Sequence, residues 1–281
     1  MSPAAAAPFP RFRVLDVFLT AARISDAVGA IVSRASDRAG PGAGVCVFAA
    51  DSLLKCRDDP RLAAIANGSW MTLCDGMPLV LLGRIAAHLP VERCYGPDVM
   101  LGVLDRGRAA GLRHYFYGGA DEETSRLLQE RMEERFPGLR VVGREVPPFR
   151  PLAEEERRET AARIDASGAD VVWIGLGTPK QDFWMGDMRP LLKAPVMVSV
   201  GAAFAFHAGR VPQAPRWMRR CCLEWLYRLC AEPRRLWRRY LVGNPRFVAL
   251  LLRQLLTSRP GPLGEVRRSA ADDRSGGGRP V

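Results

Sequence analysis

The chain has 281 residues, a formal net charge of +11, and 48% apolar and 25% charged residues. That is an ordinary globular composition, long enough for one large domain with an appendage or for two small ones, and it excludes a chain disordered throughout. The first residues lack a charged n-region and a long apolar stretch, so no signal peptide is expected. No uncharged apolar run reaches 18 residues, so no spanning helix is predicted either.

In chain order the pattern predicts short apolar runs ending in Gly or Asp, each followed by an amphipathic stretch. Residues 1–10 read as an unstructured start. Phe12 to Leu19 reads as a strand and Ile24 to Ala35 as a helix, with Ser25 near its start. Gly44 to Ala50 reads as a second strand, with Asp51 a candidate N-cap for a helix over Leu53 to Ala66. Trp70 to Cys74 forms a strand ending at Asp75-Gly76, and helix resumes near Met77. Pro97 opens a helix to Ala110. His114 to Tyr117 leads into Gly118-Gly119, then a helix over Asp121 to Phe136. Leu139 to Gly143 is a strand, followed by a proline-rich loop and a charged helix over Ala153 to Ser167. Asp170 to Ile174 runs into Gly175-Leu176-Gly177-Thr178-Pro179 and another helix, and Pro195 to Val200 ends at Gly201. Strands alternating with helices predict an α/β fold, a mainly parallel sheet with helices on both faces. Ligands in such folds bind at the carboxyl ends of the strands. The expected organisation is an α/β core over 11–209, a basic helical appendage over 210–257 and an unstructured tail over 258–281.

Seven cysteines, without a CxxC, suggest reduced thiols, with Cys46 and Cys74 acting as small buried hydrophobes; Cys221, Cys222 and Cys230 fall on the appendage. His88, His114 and His207 have no second soft ligand nearby, so no metal site is expected.

Asp75 follows the apolar run MTLC, where partial desolvation would raise its pKa toward the range of a general base. A helix N-cap is the competing role. Gly118-Gly119 and Gly175-x-Gly177 each follow a strand and open a helix, as phosphate-binding turns do, although neither is a full GxGxxG or P-loop and plain turns remain the alternative. Lys180 and Gln181 strengthen the second turn. Arg93, Tyr95 and Asp98 surround a Gly-Pro turn, where a surface salt link is the plainer reading.

Between Arg210 and Arg253 there are eleven arginines against Glu224 and Glu232, which concentrates most of the net charge in one segment. Arg228, Arg235 and Arg238 would share a face on a continuous helix, but Pro233 favours two helices meeting near Glu232. Arginine suits phosphate oxygens. Trp217, Trp225, Tyr227, Trp237 and Tyr240 among the arginines point to a membrane surface rather than nucleic acid, for which no reader motif is present.

Seven segments in order resemble the WecG/TagA/CpsF family, glycosyltransferase family 26. They are CDGMPLV (74–80), RCYGPDVM (93–100), YFYGGADEE (115–123), FPGLRVVG (136–143), GLGTPKQDFWM (175–185), VGAAFAFHAGRVPQAPRWM (200–218) and LEWLYRLCAEPRRLWRRYLVGNPRF (223–247). The resemblance implies a Rossmann-like core and an appendage that contacts the cytoplasmic face of the membrane. It also implies inverting transfer of a sugar, often of N-acetylmannosamine type, from a UDP-sugar to a polyprenyl-diphosphate-linked acceptor, without a cofactor or an obligatory metal. Homo-oligomers stay open.

By the same resemblance Asp75 is the base and Gln181 lies in the sugar-nucleotide pocket, while Gly118, Gly119, Gly175, Gly177, Lys180 and Gly201 are candidate substrate-binding residues by their place at the strand ends. Arg93 and Asp98, in a matching segment, are further candidate substrate-binding residues, and by the resemblance Arg228, Arg235 and Arg238 meet diphosphate. The chain departs from the family's pattern at Val47, Ala49, Ala205 and Gln213, where polar or charged residues are usual. Those departures keep a second reading alive: a specificity-altered or non-catalytic homologue that binds the lipid-linked intermediate.

Overall fold

The computed structural model describes residues 8–37, 42–215, 217–218 and 223–257, with the backbone alone at Arg235. The expected tail over 258–281, most of the N-terminal segment, and Cys221 and Cys222 lie outside the described residues.

Six strands form one parallel sheet. They are β3 (Ala43–Phe48), β4 (Met71–Cys74), β5 (Arg113–Gly118), β6 (Arg140–Glu145), β7 (Val171–Gly175) and β8 (Val196–Ser199), in the spatial order β4-β3-β8-β7-β5-β6. The central strands read as continuous apolar runs because a parallel sheet is buried on both faces. One face packs on α1 (Ile24–Ser36), α5 (Gly96–Gly107), α6 (Glu122–Arg135) and the short α9 (Ala203–His207), with Trp173, Phe116 and Phe204 at its centre. The other face packs on α2 (Ala50–Asp58), α3 (Pro60–Gly68), α4 (Met77–Leu81), α7 (Glu154–Ser167) and α8 (Lys180–Met188). Cys46 and Cys74 are buried in these strands, as small hydrophobes would be.

Two expected elements differ. The single strand over Phe12 to Leu19 is a hairpin, β1 (Arg11–Val14) and β2 (Val17–Thr20), paired antiparallel outside the main sheet. Its turn places Leu15 at φ 53°, a conformation usually signalled by Gly or Asn, so no turn residue marked it. The turn is held from afar: the Leu15 N–H donates to Gln254 Oε1 at 2.8 Å. The single helix over Leu53 to Ala66 is broken into α2 and α3 at Pro60, which has no N–H to continue the ladder. Asp59, not Asp51, is the side-chain cap there, accepting from the N–H groups of Arg61 and Leu62.

After the sheet come α10 (Glu224–Ala231), α11 (Pro233–Trp237), a π-turn over Arg238–Val242 and α12 (Gly243–Thr257). Helices do meet at Glu232-Pro233. This segment lies across the carboxyl ends of the strands. It is anchored by Leu236, Tyr240 and Phe247, which are buried, and by Arg246, whose Nη1 donates to Asp58 on α2 at 2.7 Å. None of the described helices is long and apolar enough to cross a membrane.

Candidate active site

A cavity of about 1070 Å³ runs along the carboxyl edge of the sheet, under the C-terminal segment. Asp75 lies at one end. Its N–H donates to Phe48 O at 2.8 Å, which continues the β3–β4 pairing one residue past β4 and turns the side chain toward the crevice. The α4 cap position belongs to Gly76 and has no side-chain cap bond, so the N-cap alternative for Asp75 does not hold. Burial pushes the Asp75 carboxyl up to about 6; nearby Arg93 and Arg239 oppose that rise and Glu224 adds to it.

Arg93 is no surface salt link. Its Nε donates to the Asp75 carbonyl at 2.6 Å, and its Nη2 reaches Asp75 Oδ1 at 3.3 Å and Glu224 Oε2 at 2.6 Å. It stands behind Asp75 rather than on the cavity wall. Asp98, in the first turn of α5, is exposed and outside the cavity lining.

The glycines divide by role. Gly118 has φ 124°, and a Cβ there would fall 2.7 Å from the Gly175 carbonyl carbon; it permits close approach of β5 to β7 and does not line the cavity. Gly119, Gly175, Gly177 and Gly201 do line it. Gly177, at φ 77°, has open space where a side chain would stand, so its loop can take a close ligand. Gln181 is buried and spans that loop, accepting from Gly177 N–H at 3.1 Å and donating to Thr178 Oγ1 at 3.2 Å. Its amide shapes the loop as well as facing the cavity. Lys180 is exposed at the rim, its ammonium 5.7 Å from the centre of the Phe149 ring.

From the C-terminal segment, Arg228 and Arg238 line the cavity, and among the described residues neither has a carboxylate within salt-bridge distance. Arg228 lies 5.7 Å from the Phe206 ring and Arg238 5.3 Å from that of Trp237. The side chain of Arg235 lies outside the described residues. Sequence reasoning missed several groups. Lys55 pairs with Asp51 at 2.9 Å and donates to Thr178 O at 3.1 Å; Arg239 approaches Asp51 at 3.3 Å. The i,i+4 spacing of Asp51 and Lys55 was the available signal. Glu224, one of two acids in the arginine run, was the other. Val47, Ala49 and Ala205 form apolar wall, whereas Gln213 does not line the cavity. Among the described residues no cluster of three His, Cys, Asp or Glu side chains could hold a metal ion.

Fold and cavity together define an α/β enzyme. Its cavity lies at the carboxyl edge of a parallel sheet, between the Asp75 carboxyl and a cationic helical cover. Comparison with known proteins then narrows the class. The chain belongs to the WecG/TagA/CpsF family of glycosyl transferases, whose family model matches residues 12–261. It is similar to a Bacillus spizizenii protein named N-acetylglucosaminyldiphosphoundecaprenol N-acetyl-beta-D-mannosaminyltransferase. The two are 31% identical over 210 residues, which is 74% of this chain and 79% of that protein.

Proposed function

We propose that this glycosyltransferase moves a hexose, of N-acetylmannosamine type or another, from a UDP-sugar to a sugar carried on a polyprenyl diphosphate, with inversion at the anomeric carbon. The observation that carries the reading is that one cavity holds a carboxyl pushed up to about 6 together with Arg228 and Arg238, which have no carboxylate within salt-bridge distance among the described residues. The acceptor hydroxyl oxygen attacks the anomeric carbon as its bond to the UDP oxygen breaks. The proton passes to Asp75, and the leaving diphosphate takes the electron pair. Arg228 and Arg238 meet the charge that develops there. The similar Bacillus protein, named for a diphosphoundecaprenol-linked acceptor, supports the acceptor class.

The same reading places the enzyme against the cytoplasmic leaflet. Trp225, Trp237, Leu241, Val242, Val248, Leu252 and Leu256 are exposed large apolar residues on the segment that carries the arginines. Such a surface suits headgroup depth in an anionic membrane. Incubation with UDP-sugars and a short-chain lipid-linked N-acetylglucosamine, with mass spectrometry of the lipid product, tests the function. Product from the wild type and almost none from Asp75→Asn is expected; equal turnover by both removes Asp75 as base.

A second reading draws on the apolar wall of Val47, Ala49 and Ala205, which offers a sugar hydroxyl no hydrogen bond from those side chains. It favours a donor with an apolar substituent or a missing hydroxyl at that wall. A complete lack of turnover with every UDP-sugar, alongside retained binding of the lipid-linked acceptor, would instead make the chain a non-catalytic homologue.

A further inference from the structure

The arrangement behind Asp75 is more specific than base chemistry alone requires. Arg93 sits close enough to neutralise the Asp75 carboxylate, yet its short hydrogen bonds go elsewhere. One runs from Nε to the Asp75 backbone carbonyl at 2.6 Å and one from Nη2 to Glu224 Oε2 at 2.6 Å, while the carboxylate itself receives a contact of 3.3 Å from Nη2. The guanidinium is also held 4.4 Å from the centre of the Tyr95 ring. Glu224 comes from the first turn of α10, 131 residues away along the chain, and its side chain is only 13% exposed.

We propose that Glu224 is a positioning residue of the C-terminal segment: by holding the Arg93 guanidinium it keeps the Asp75 carboxylate available for the substrate proton. Docking of α10 thereby completes the active site, besides delivering Arg228 to the cavity. The inference rests on the reading of Asp75 as the base. A carboxylate paired at short range with arginine is a weak base, because ion pairing favours its charged form. Glu224 opposes that pairing twice over: it takes the shorter bond to Arg93, and its own negative charge disfavours ionisation of Asp75. Among the described residues the groups facing Asp75 are Arg93, Cys94 and Tyr95 from the segment before α5, Cys74 from its own strand, Glu224 from α10 and Arg239 from the π-turn. Both arginines lower its pKa, while burial and Glu224 raise it.

The test uses the full chain labelled with ¹³C in the aspartate carboxyls. The Asp75 titration is assigned by its loss in Asp75→Asn and compared across wild type, Glu224→Gln and Glu224→Asp. In Glu224→Gln we expect the Asp75 midpoint to fall by about one unit. The acid limb of kcat/KM should fall with it, and kcat should drop about tenfold with little change in KM. Glu224→Asp, which keeps the charge, should return the midpoint most of the way to wild type. An unmoved midpoint in Glu224→Gln overturns the proposal, and so does a Glu224→Asp midpoint displaced as far as that of Gln, which would mark a role in fit alone. The base reading fails separately: the midpoint then moves in Glu224→Gln while the acid limb of kcat/KM stays in place.

Discussion

The sheet and the C-terminal segment hold their positions by different means. The central strands are buried along nearly their whole length, and Trp173, Phe116 and Phe48 are completely enclosed. Each such side chain stabilises the fold by about 1.5–3 kcal/mol through burial. The C-terminal segment has no such interior: α10 contains no buried residue, and α12 buries only Phe247. Among the described residues its grip on the body comes from Leu236, Tyr240 and Phe247, from the partly buried Leu250, Leu251 and Leu255, from Gln254 at the β1–β2 turn and from three ionic contacts, Arg93–Glu224, Arg239–Asp51 and Arg246–Asp58. One half of the cavity is therefore rigid, while the other is attached by few contacts and belongs to the low end of local stability. The division suits a site that must admit a long lipid-linked substrate and then close over charge.

Breaking the rigid half chemically, without loosening it, should have the largest effect. Asp75→Asn is expected to lower kcat by about 10²–10⁴-fold, the usual contribution of a general base. Its melting temperature, read by calorimetry, should stay near that of wild type. The wild-type rate should also decline below about pH 6, where the base becomes protonated, because burial has raised the Asp75 carboxyl to about that value. A flat profile between pH 5 and 7 would contradict the assignment.

Removing a cation from the attached half comes next. Arg228→Ala and Arg238→Ala should each reduce kcat/KM by about 10–10³-fold, as loss of a group that stabilises transition-state charge does. Arg228→Lys should recover only part of that loss, since a point charge cannot reproduce a guanidinium fork.

A third substitution separates attachment from folding. Phe247→Ala removes the deepest anchor of α12, at a cost of about 3–5 kcal/mol if the site cannot collapse. Hydrogen exchange should show faster exchange across α10 to α12 and in the β1–β2 turn that Gln254 holds, with the central strands still protected. Equal loss of protection in β3, β7 and β8 would show that the two regions unfold together.

The last effects concern stability alone and come from titration within the core and from one exposed ion pair. Asp182, in the first turn of α8, is completely buried, and that burial pushes its carboxyl up to about 7. The folded state thus holds this proton where the unfolded chain has released it. Its contribution to stability is present at low pH and is lost as pH climbs from about 4 to about 7. Asp182→Asn should flatten the dependence of melting temperature on pH in that window. Asp58→Ala, which breaks an exposed pair with Arg246, should cost at most about 1 kcal/mol.

Much of this architecture was legible along the chain. Alternating apolar runs and amphipathic stretches located all six strands of the sheet, because strand and helix periodicities are local properties. The position of Asp75 after MTLC placed it at a strand end, and Pro233 divided the basic segment as expected. The turn at Leu15 escaped because it carries no turn residue. Gly118 was grouped with the ligand loops, although its missing side chain serves the approach of β5 to β7. Arg93 stood between a substrate-binding residue and a surface salt link, because nothing near it in sequence names its partners. By itself, then, the sequence determined a parallel α/β body, a carboxylate at the end of one strand and a cationic aromatic segment behind it. Tertiary structure alone decided that Glu224 meets Arg93, that Lys55 reaches the Thr178 carbonyl, and that Val47, Ala49 and Ala205 line one cavity. Those contacts join residues far apart in the chain, and side chains separated in this way leave no periodic trace; they are selected only when the sheet has closed and the helices have been packed against it.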